Sequence, residues 1–293
     1  MNSLLLLCIA LLWGSQFVLM EISVAGLDPF WLALLRAWSA VACLSLVMRW
    51  LNTGKRQVGW WRYQLLGLVE VSLPFLLLAY AQQQLAASMS SVIMGLIPIM
   101  TLVLAPLLGV RELGSWWRLS PILLGFAAIF YLFWPELQQG VSLTTISLLA
   151  TLAAAACFAL GAVLIRLWVI DSPLLAARNI IFTGALQLSL LLPWFWQHWQ
   201  WPGWASTSAL LVLGTLSTGL VYVLFTSLIR RAGATFAAFS NYLVPPFGLL
   251  LALILLNQQP SGRLLISLVA VLLAVALDQW LAWRIRQSQG SGV

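Results

Sequence analysis

The chain consists of long apolar stretches separated by short stretches that carry glycine, proline and polar residues. A helix that crosses a membrane needs about 20 mostly apolar residues. The apolar stretches are continuous and do not alternate with polar positions, which argues against a β-barrel. The pattern therefore predicts an all-α polytopic membrane protein with ten transmembrane helices, at residues 3–21, 30–49, 64–83, 88–109, 117–134, 143–166, 174–193, 207–229, 235–256 and 264–283.

Composition supports this fold class. Hydrophobic residues make up 62% of the 293 residues and charged residues only 7%, whereas about a quarter of the residues in soluble domains are charged. Such a chain cannot cover a water-facing surface, so its surroundings are expected to be a lipid bilayer. The net charge of +7 lies mainly between the predicted spans and therefore indicates orientation rather than nucleic-acid binding.

Positive charge predicts the orientation, because Lys and Arg are enriched in cytoplasmic connectors. With the N-terminus in the cytoplasm, only Arg263 lies in an external connector. The residues then placed inside are Arg49, Lys55, Arg56, Arg62, Arg111, Arg118, Arg166, Arg230, Arg231, Arg284 and Arg286. Both termini are therefore predicted to be cytoplasmic, and residues 287–293 are expected to form a disordered tail.

The two halves of the chain are related by an internal repeat. Three pairs of residues are separated by 147 positions, namely Gly14 and Gly161, Gly67 and Gly214, and Pro98 and Pro245. A second match, at a slightly smaller offset, relates residues 28–36 to residues 171–178 and pairs Arg36 with Arg178. Five spans per repeat give the second repeat the opposite orientation. We therefore expect two inverted five-helix repeats, residues 1–136 and 137–286, an architecture in which transporters bind substrate near the bilayer midplane.

Several motifs resemble a known family. They are Leu12-Trp13-Gly14-Ser15 in the first span, the entry from Pro29 to Arg36, Ala86-Ala87-Ser88 followed by Leu96-Ile97-Pro98, and Gly233-Ala234-Thr235 followed by Leu243-Val244-Pro245. With the ten spans, they resemble the EamA branch of the drug/metabolite transporter superfamily. The resemblance implies two inverted five-helix bundles around a central cavity, alternating access, and export of small metabolites such as amino acids across the bacterial inner membrane.

Charged side chains inside a bilayer are unfavourable, so each one is a candidate functional residue. Arg36 and Arg178 lie at similar depths from opposite faces, where they would bind a substrate carboxylate in the outward and inward states in turn. The alternative is that each one extends to the membrane surface or holds a neighbouring helix end. Glu70 is the candidate for proton coupling, and its alternative role is a hydrogen bond between helices or pairing with a loop arginine.

Prolines and glycines mark candidate kinks and hinges. Pro98 and Pro245 interrupt the backbone hydrogen bonds of the fourth and ninth spans. Gly14 and Gly161, which form another repeat pair, are candidate hinges in the first and sixth spans. The residues on the same faces as the two prolines are small, soft or weakly polar. Such faces suit a cavity for a partly apolar ligand, or they simply let helices approach closely.

Uncharged polar and aromatic side chains within or near the spans complete the candidate cavity. Trp13 and its polar neighbours interrupt a leucine-rich run at mid-span, and the other members lie close to kinks or span ends. The predicted cavity residues are Trp13, Ser15, Gln16, Tyr80, Gln83, Ser91, Met94, Asn179, Tyr222, Asn241 and Tyr242.

A carrier fits these features better than the other classes of membrane protein. A serine hydrolase at Ser15 would need a general base, but the chain's only histidine, His198, lies in a predicted external connector. No metal cluster, phosphate-binding loop or cofactor motif is present in the sequence, and neither are the charged rings of a channel. A scaffold protein would not need an inverted repeat with matched prolines.

The substrate is expected to be a small neutral or zwitterionic metabolite. An amino acid with a hydrophobic or aromatic side chain fits best, because the candidate site has few acids and no basic cluster for phosphates. The alternative is efflux of organic cations or multiple drugs. The sequence leaves the mode of energy coupling and the formation of a homo-oligomer open.

Overall fold

The computed structural model of the protein describes residues 2–51, 54–109, 119–138 and 143–290. These residues form helices joined by short connectors, and none of them forms a β-strand. We number the main helices α1 (Asn2–Val24), α2 (Pro29–Met48), α3 (Trp60–Ala81), α4 (Ala87–Leu107), α5 (Leu119–Gln138), α6 (Leu143–Trp168), α7 (Pro173–Leu190), α8 (Gly203–Leu228), α9 (240–256) and α10 (Gly262–Gly290). A short helix, Leu192–Phe195, and a 3₁₀ turn, Trp196–His198, follow α7.

These helices account for the ten predicted spans. Six helices in the described residues are long and apolar enough to cross a membrane, and a bent pair, Pro173–Leu190 with Leu192–His198, forms a seventh candidate. Three shorter apolar helices, Leu123–Leu132, Leu243–Leu256 and Gly262–Ala274, coincide with the three remaining spans. The protein is therefore an all-helical, polytopic membrane protein.

Local sequence explains where α2, α7 and α9 begin or end. Proline occupies the first helical position of α2 and of α7, where its missing N–H needs no partner. Before α2, the Asp28 carboxylate accepts a hydrogen bond from the Phe30 backbone N–H at 2.9 Å. After α9, Asn257 takes the left-handed conformation with φ 53°, a common way to end a helix.

Helices α8 and α9 share one continuous helical segment, Val221–Leu256, that folds back on itself. A straight helix rises about 1.5 Å per residue, so Phe225 and Phe247 would lie roughly 33 Å apart. Instead, the Phe225 ring lies 4.7 Å from the Trp13 ring, and Phe247 packs against Gly14. The segment therefore reverses direction between these two phenylalanines.

Carboxylates connect the helices at both ends of the bundle. At one end, which we call the Glu21 clasp, Glu21 accepts hydrogen bonds from the Ala87 backbone at 2.6 Å and from Gln258 at 2.7 and 2.8 Å, while Ser88 donates to Gln258 at 3.0 Å. At the other end, the Asp171 clasp, Asp171 accepts from the Gln57 backbone at 2.7 Å and from Tyr63 at 2.6 Å. In the predicted orientation the Glu21 clasp is external.

The two repeats cross each other through equivalent contacts. Gly67 of α3 leaves room for Thr183 of α7, and Gly214 of α8 leaves room for Ser39 of α2. In each crossing a hydroxyl side chain of one repeat packs on a glycine of the other, which allows close approach of the helices. The repeat detected in the sequence is therefore also present in the packing.

A π-helical turn follows each of these glycines. The turn in α3 spans Leu68–Ser72 and the turn in α8 spans Thr215–Leu220, so the two begin 147 positions apart. Single π-helical turns within α-helices occur frequently at functional sites.

The spatial counterpart of Arg36 is Ile180, which corrects the sequence match between Arg36 and Arg178. The starts of α2 and α7, at Pro29 and Pro173, differ by 144 positions, and so do Ser39 and Thr183 in the two crossings. Arg178 precedes the equivalent position by two residues, which is about 200° around a helix. It therefore faces a different direction from Arg36.

The expected disordered tail is also corrected in part. Helix α10 continues to Gly290, so residues 287–290 are helical, and residues 291–293 lie outside the described residues. The arginine and glutamine residues near this end favour a helix, which explains the extension beyond the apolar part of the span.

Candidate substrate cavity

A small cavity lies at the centre of the helix bundle. Its volume is about 50 Å³, which is space for a few water molecules. Helices of both repeats contribute to it, namely α1, α2, α3, α4, α6, α8 and α9. Its lining residues are Trp13, Gln16, Arg36, Glu70, Phe75, Met94, Ile97, Phe158, Ala162, Tyr222, Phe225, Asn241 and Val244.

The cavity lining follows the internal repeat. Three pairs of lining residues are separated by 147 positions, namely Phe75 and Tyr222, Met94 and Asn241, and Ile97 and Val244. Each pair places one side chain from each repeat around the same space. The cavity therefore lies at the interface between the two repeats, where inverted-repeat transporters bind substrate.

Arg36 is the cationic group of the cavity. It is only 2% exposed, and its Nε donates to Thr218 Oγ1 at 2.7 Å, its Nη2 to Gln16 Oε1 at 2.8 Å and its Nη1 to the Met20 sulfur at 3.3 Å. The guanidinium also lies 3.9 Å from the centre of the Phe75 ring. These bonds use three of its five N–H groups, and no carboxylate pairs with Arg36 among the described residues.

Glu70 is the acidic group of the cavity. It is 5% exposed, and the Tyr222 hydroxyl donates to its carboxyl at 2.7 Å. A Cβ atom at position 161 would overlap the Glu70 carboxyl, so Gly161 of α6 provides the space that this side chain occupies. No arginine or lysine of the described part of the chain forms an ion pair with Glu70.

The equivalent positions of the other repeat carry no charge. Ile180, the counterpart of Arg36, is fully buried in the apolar core. Ser217, the counterpart of Glu70 at the 147-residue offset, lies 3.3 Å from Ser15. Burying an unpaired charge is strongly unfavourable. Since the equivalent helix crossing of the other repeat forms without charged residues, helix packing alone does not require Arg36 and Glu70.

Aromatic and apolar side chains form the rest of the cavity. Trp13 meets Phe225 edge to face, and Phe75 lies beneath the Arg36 guanidinium. Among the described residues, no group of three or more His, Cys, Asp or Glu side chains could hold a metal ion. The arrangement is one cation and one carboxyl within a mostly apolar space.

The cavity brings together seven of the residues singled out in the sequence. They are Trp13, Gln16, Arg36, Glu70, Met94, Tyr222 and Asn241. Ser15 and Ser91 lie close by but bond their own helices, at Leu12 O and Ser88 O.

Other candidates lie outside this lining. Arg178 and Asn179 of α7 bond each other at 3.0 Å. Tyr80 and Gln83 are exposed near the Glu21 clasp, where Gln83 lines a separate cavity with Glu21. The side chain of Tyr242 lies outside the described part of the structure.

The candidate hinge residues have different surroundings. Helix α4 is interrupted at Gly95–Leu96, just before Pro98, whereas Pro245 lies within a continuous helix. Gly14 packs against Phe247 and Gly248 of α9, in contrast to Gly161, which packs against Glu70.

Six lining residues were not identified from the sequence. They are Phe75, Ile97, Phe158, Ala162, Phe225 and Val244, all apolar residues in apolar spans. The repeat offset could have found one of them, because Phe75 lies 147 positions before Tyr222, which was a predicted cavity residue.

Comparison with known proteins agrees with this architecture. A sequence model of the EamA-like transporter family matches residues 1–134 and 145–277. No curated protein matches the chain. One solved crystal structure, 20% identical in sequence, superposes with a TM-score of 0.71 over 96% of this chain and 98% of its own. At this identity the likeness shows the fold alone.

Proposed function

Because the chain belongs to the EamA-like transporter family, we propose that it is a secondary carrier for amino acids with apolar or aromatic side chains, or for similar neutral or zwitterionic metabolites. It moves them outward across the bacterial inner membrane by alternating access, with both termini in the cytoplasm. The observation that carries this proposal is the presence of Arg36 and Glu70 in one cavity, at positions whose counterparts in the other repeat are uncharged.

The two charged groups complement a zwitterion. The substrate carboxylate binds the two remaining N–H groups of Arg36, since paired N–H donors of arginine suit a carboxylate. The substrate ammonium group binds Glu70, whose carboxyl is already held by Tyr222. An apolar side chain then contacts Met94, which has apolar neighbours in α4 and α9.

The small size of the cavity fits alternating access. A space of about 50 Å³ is too small for an amino acid, so helices or side chains must move when a substrate binds. The Glu21 clasp and the Asp171 clasp join helices at opposite ends of the bundle. Opening one clasp at a time exposes the cavity to one side of the membrane.

Glu70 couples transport to protons in this proposal. Its carboxyl holds a proton when the cavity contains no substrate and releases that proton when a substrate ammonium group binds. One carboxyl therefore serves proton and substrate in turn, and the carrier exchanges them across the membrane.

An organic-cation carrier is the second candidate. Glu70 surrounded by Trp13, Phe158 and Phe225 resembles the combination of a carboxylate with aromatic rings that attracts cations. Arg36 in the same cavity opposes this function, because it repels a cation that has no carboxylate of its own.

Transport into proteoliposomes separates the two candidates. We expect purified protein to exchange leucine, phenylalanine or tryptophan, and to transport tetraphenylphosphonium poorly. Arg36→Gln should reduce amino-acid exchange at least tenfold, because a hydrogen bond to a charged group contributes about 1.5–3 kcal/mol. Arg263→Gln, which removes an exposed arginine outside the cavity, is the matched control. Transport of organic cations alone, unaffected by Arg36→Gln, would contradict the amino-acid proposal.

A further inference from the structure

The π-helical turn of α8 places a hydroxyl group against the cationic group of the cavity. We infer that Thr218 is a positioning residue, which holds the Arg36 guanidinium in the orientation that binds the carboxylate of the substrate. The inference rests on the proposed function, because it concerns how that carboxylate is recognised.

The hydrogen bonds of the Thr218 hydroxyl show that it is the acceptor in its contact with Arg36. Thr218 Oγ1 donates to the Leu213 carbonyl, five residues earlier, at 2.9 Å. A hydroxyl has one hydrogen and two acceptor lone pairs, so the remaining capacity of Thr218 is to accept. It accepts from Arg36 Nε at 2.7 Å, and both residues are buried.

The π-helical turn of α3 provides an internal comparison. There, the single hydrogen of the Ser72 hydroxyl has three possible acceptors, and the carbonyl five residues earlier, that of Gly67, is the most distant of them at 3.3 Å. Its other contacts are with α7, at the Gly184 carbonyl and the Gln187 side chain. A hydroxyl in the π-helical turn therefore supports helix packing in one repeat and contacts the cavity arginine in the other.

The position opposite Arg36 shows why this acceptor matters. The counterpart of Arg36 in the second repeat is Ile180, whose side chain has no hydrogen-bond donor. The counterpart of Thr218 in the first repeat, 147 residues earlier, is Val71, whose side chain has no acceptor. The side-chain acceptor is therefore present in the repeat crossing that contains the arginine and absent from the equivalent crossing that lacks it. With Nε held by Thr218 and Nη2 held by Gln16 at 2.8 Å, the plane of the guanidinium is fixed before a substrate arrives.

A fixed guanidinium predicts selectivity for a carboxylate over an amide. Planar N–H pairs match a carboxylate in geometry as well as charge, whereas a carboxamide offers only one acceptor oxygen. If Arg36 loses its Nε partner, its orientation varies and the advantage of the carboxylate falls. A purely structural role of Thr218 would lower the amount of folded protein and leave this preference unchanged.

The test compares phenylalanine with phenylalaninamide as probes in proteoliposomes. We expect Thr218→Val to raise the KM for phenylalanine about tenfold and to lower the preference over phenylalaninamide by a similar factor, with a smaller change in maximal rate. Thr218→Ser, which keeps the acceptor, should restore the preference to within about threefold of the unmodified protein. Thr151→Val is the control, because Thr151 is buried and, among the described residues, its hydroxyl bonds only the Ser147 carbonyl of its own helix.

A second measurement does not depend on the substrate. The Nε–H resonance of Arg36, recorded by NMR on arginine-labelled protein in nanodiscs and assigned with Arg36→Lys, should be protected from solvent exchange. Thr218→Val should shift it and increase its exchange at least tenfold, and Thr218→Ser should not. An unchanged Arg36 resonance in Thr218→Val, or an unchanged preference in a protein that transports phenylalanine, overturns the inference. If no amino acid is transported, the proposed function fails, and the resonance alone decides the role of Thr218.

Discussion

Gly161 provides the space in which the Glu70 carboxyl lies, because a Cβ atom at this position would overlap that carboxyl. We expect Gly161→Ala to displace Glu70 and to break its bond to Tyr222. Adding a methyl group to a well-packed interior costs about 1–3 kcal/mol, so the purified variant should also unfold at a lower temperature. The control is Gly262→Ala, a site where a Cβ atom meets no neighbour. Full activity of Gly161→Ala would show that the Glu70 position is not important.

Glu70→Gln tests the coupling that we propose for this carboxyl. The amide keeps the size of the side chain and can still bond Tyr222, but it cannot take up a proton. We expect exchange driven by a pH gradient to fall at least tenfold, while exchange of substrate for substrate falls less. Fluorescent pH indicators inside proteoliposomes measure both reactions. If pH-driven transport is unchanged, the proton role of Glu70 is wrong.

The charged residues of the site could be predicted from the sequence, and most of its apolar residues could not. Arg36 and Glu70 stand out because a charge within an apolar span is unfavourable. Phe158 and Phe225 carry no such signal, since lipid, a neighbouring helix and a cavity all accept a phenylalanine. The acceptor role of Thr218 depends on contact with a helix 182 residues away in sequence and leaves no local signal.

At the scale of helices, the Glu21 clasp joins α1, α4 and the connector after α9. Helices α1, α4 and α9 all line the cavity, so separating them at this end requires the clasp to open. We expect Gln258→Ala to favour the form that is open at this end. A cysteine at Asn241, in a background without the three native cysteines, should then react several-fold faster with an impermeant maleimide added outside.

Gln200→Ala is the control for this prediction. Gln200 is exposed in the connector after α7, at the same end of the bundle, and does not take part in the clasp. If the cysteine at position 241 reacts at the same rate in proteins with alanine and with glutamine at position 258, the clasp does not govern access to the cavity.

The spans were predictable because each needs only a sufficient length of apolar sequence. The interruption of α4 at Gly95–Leu96 has a local signal, since Pro98 cannot donate the backbone hydrogen bond of a regular helix. The π-helical turn at Leu68–Ser72 has no comparable signal, because its residues do not differ in type from those of ordinary apolar helices. The reversal between α8 and α9 was expected as a connector, but it remains helical.

At the scale of the whole molecule, the two repeats are similar in packing and different in chemistry. The first repeat supplies Arg36, Glu70 and Gln16, whereas the second supplies the uncharged Tyr222 and Asn241. A symmetric frame thus encloses an asymmetric set of binding groups. In the function that we propose, this difference would orient a zwitterionic substrate in a single direction, which a symmetric set of groups could not do.

The orientation of the molecule in the membrane gives a further prediction. Lys55 and Gln200 are exposed at opposite ends of the bundle. In a background without native cysteines, a cysteine at Gln200 should react with an impermeant reagent in spheroplasts, and a cysteine at Lys55 only in inverted vesicles. The opposite pattern would contradict cytoplasmic termini.

The paired π-helical turns also change the phase of both helices. Each turn contains one residue more than an α-helical turn, and one residue corresponds to about 100° of rotation. The parts of α3 and α8 beyond the turns therefore present faces that a helical wheel drawn through the whole span would misplace. Deleting a single residue from either turn would therefore restore a regular α-helical turn and leave the direction of Phe75 or Tyr222 nearly unchanged, whereas a deletion elsewhere in the same helix would rotate that side chain by about 100°.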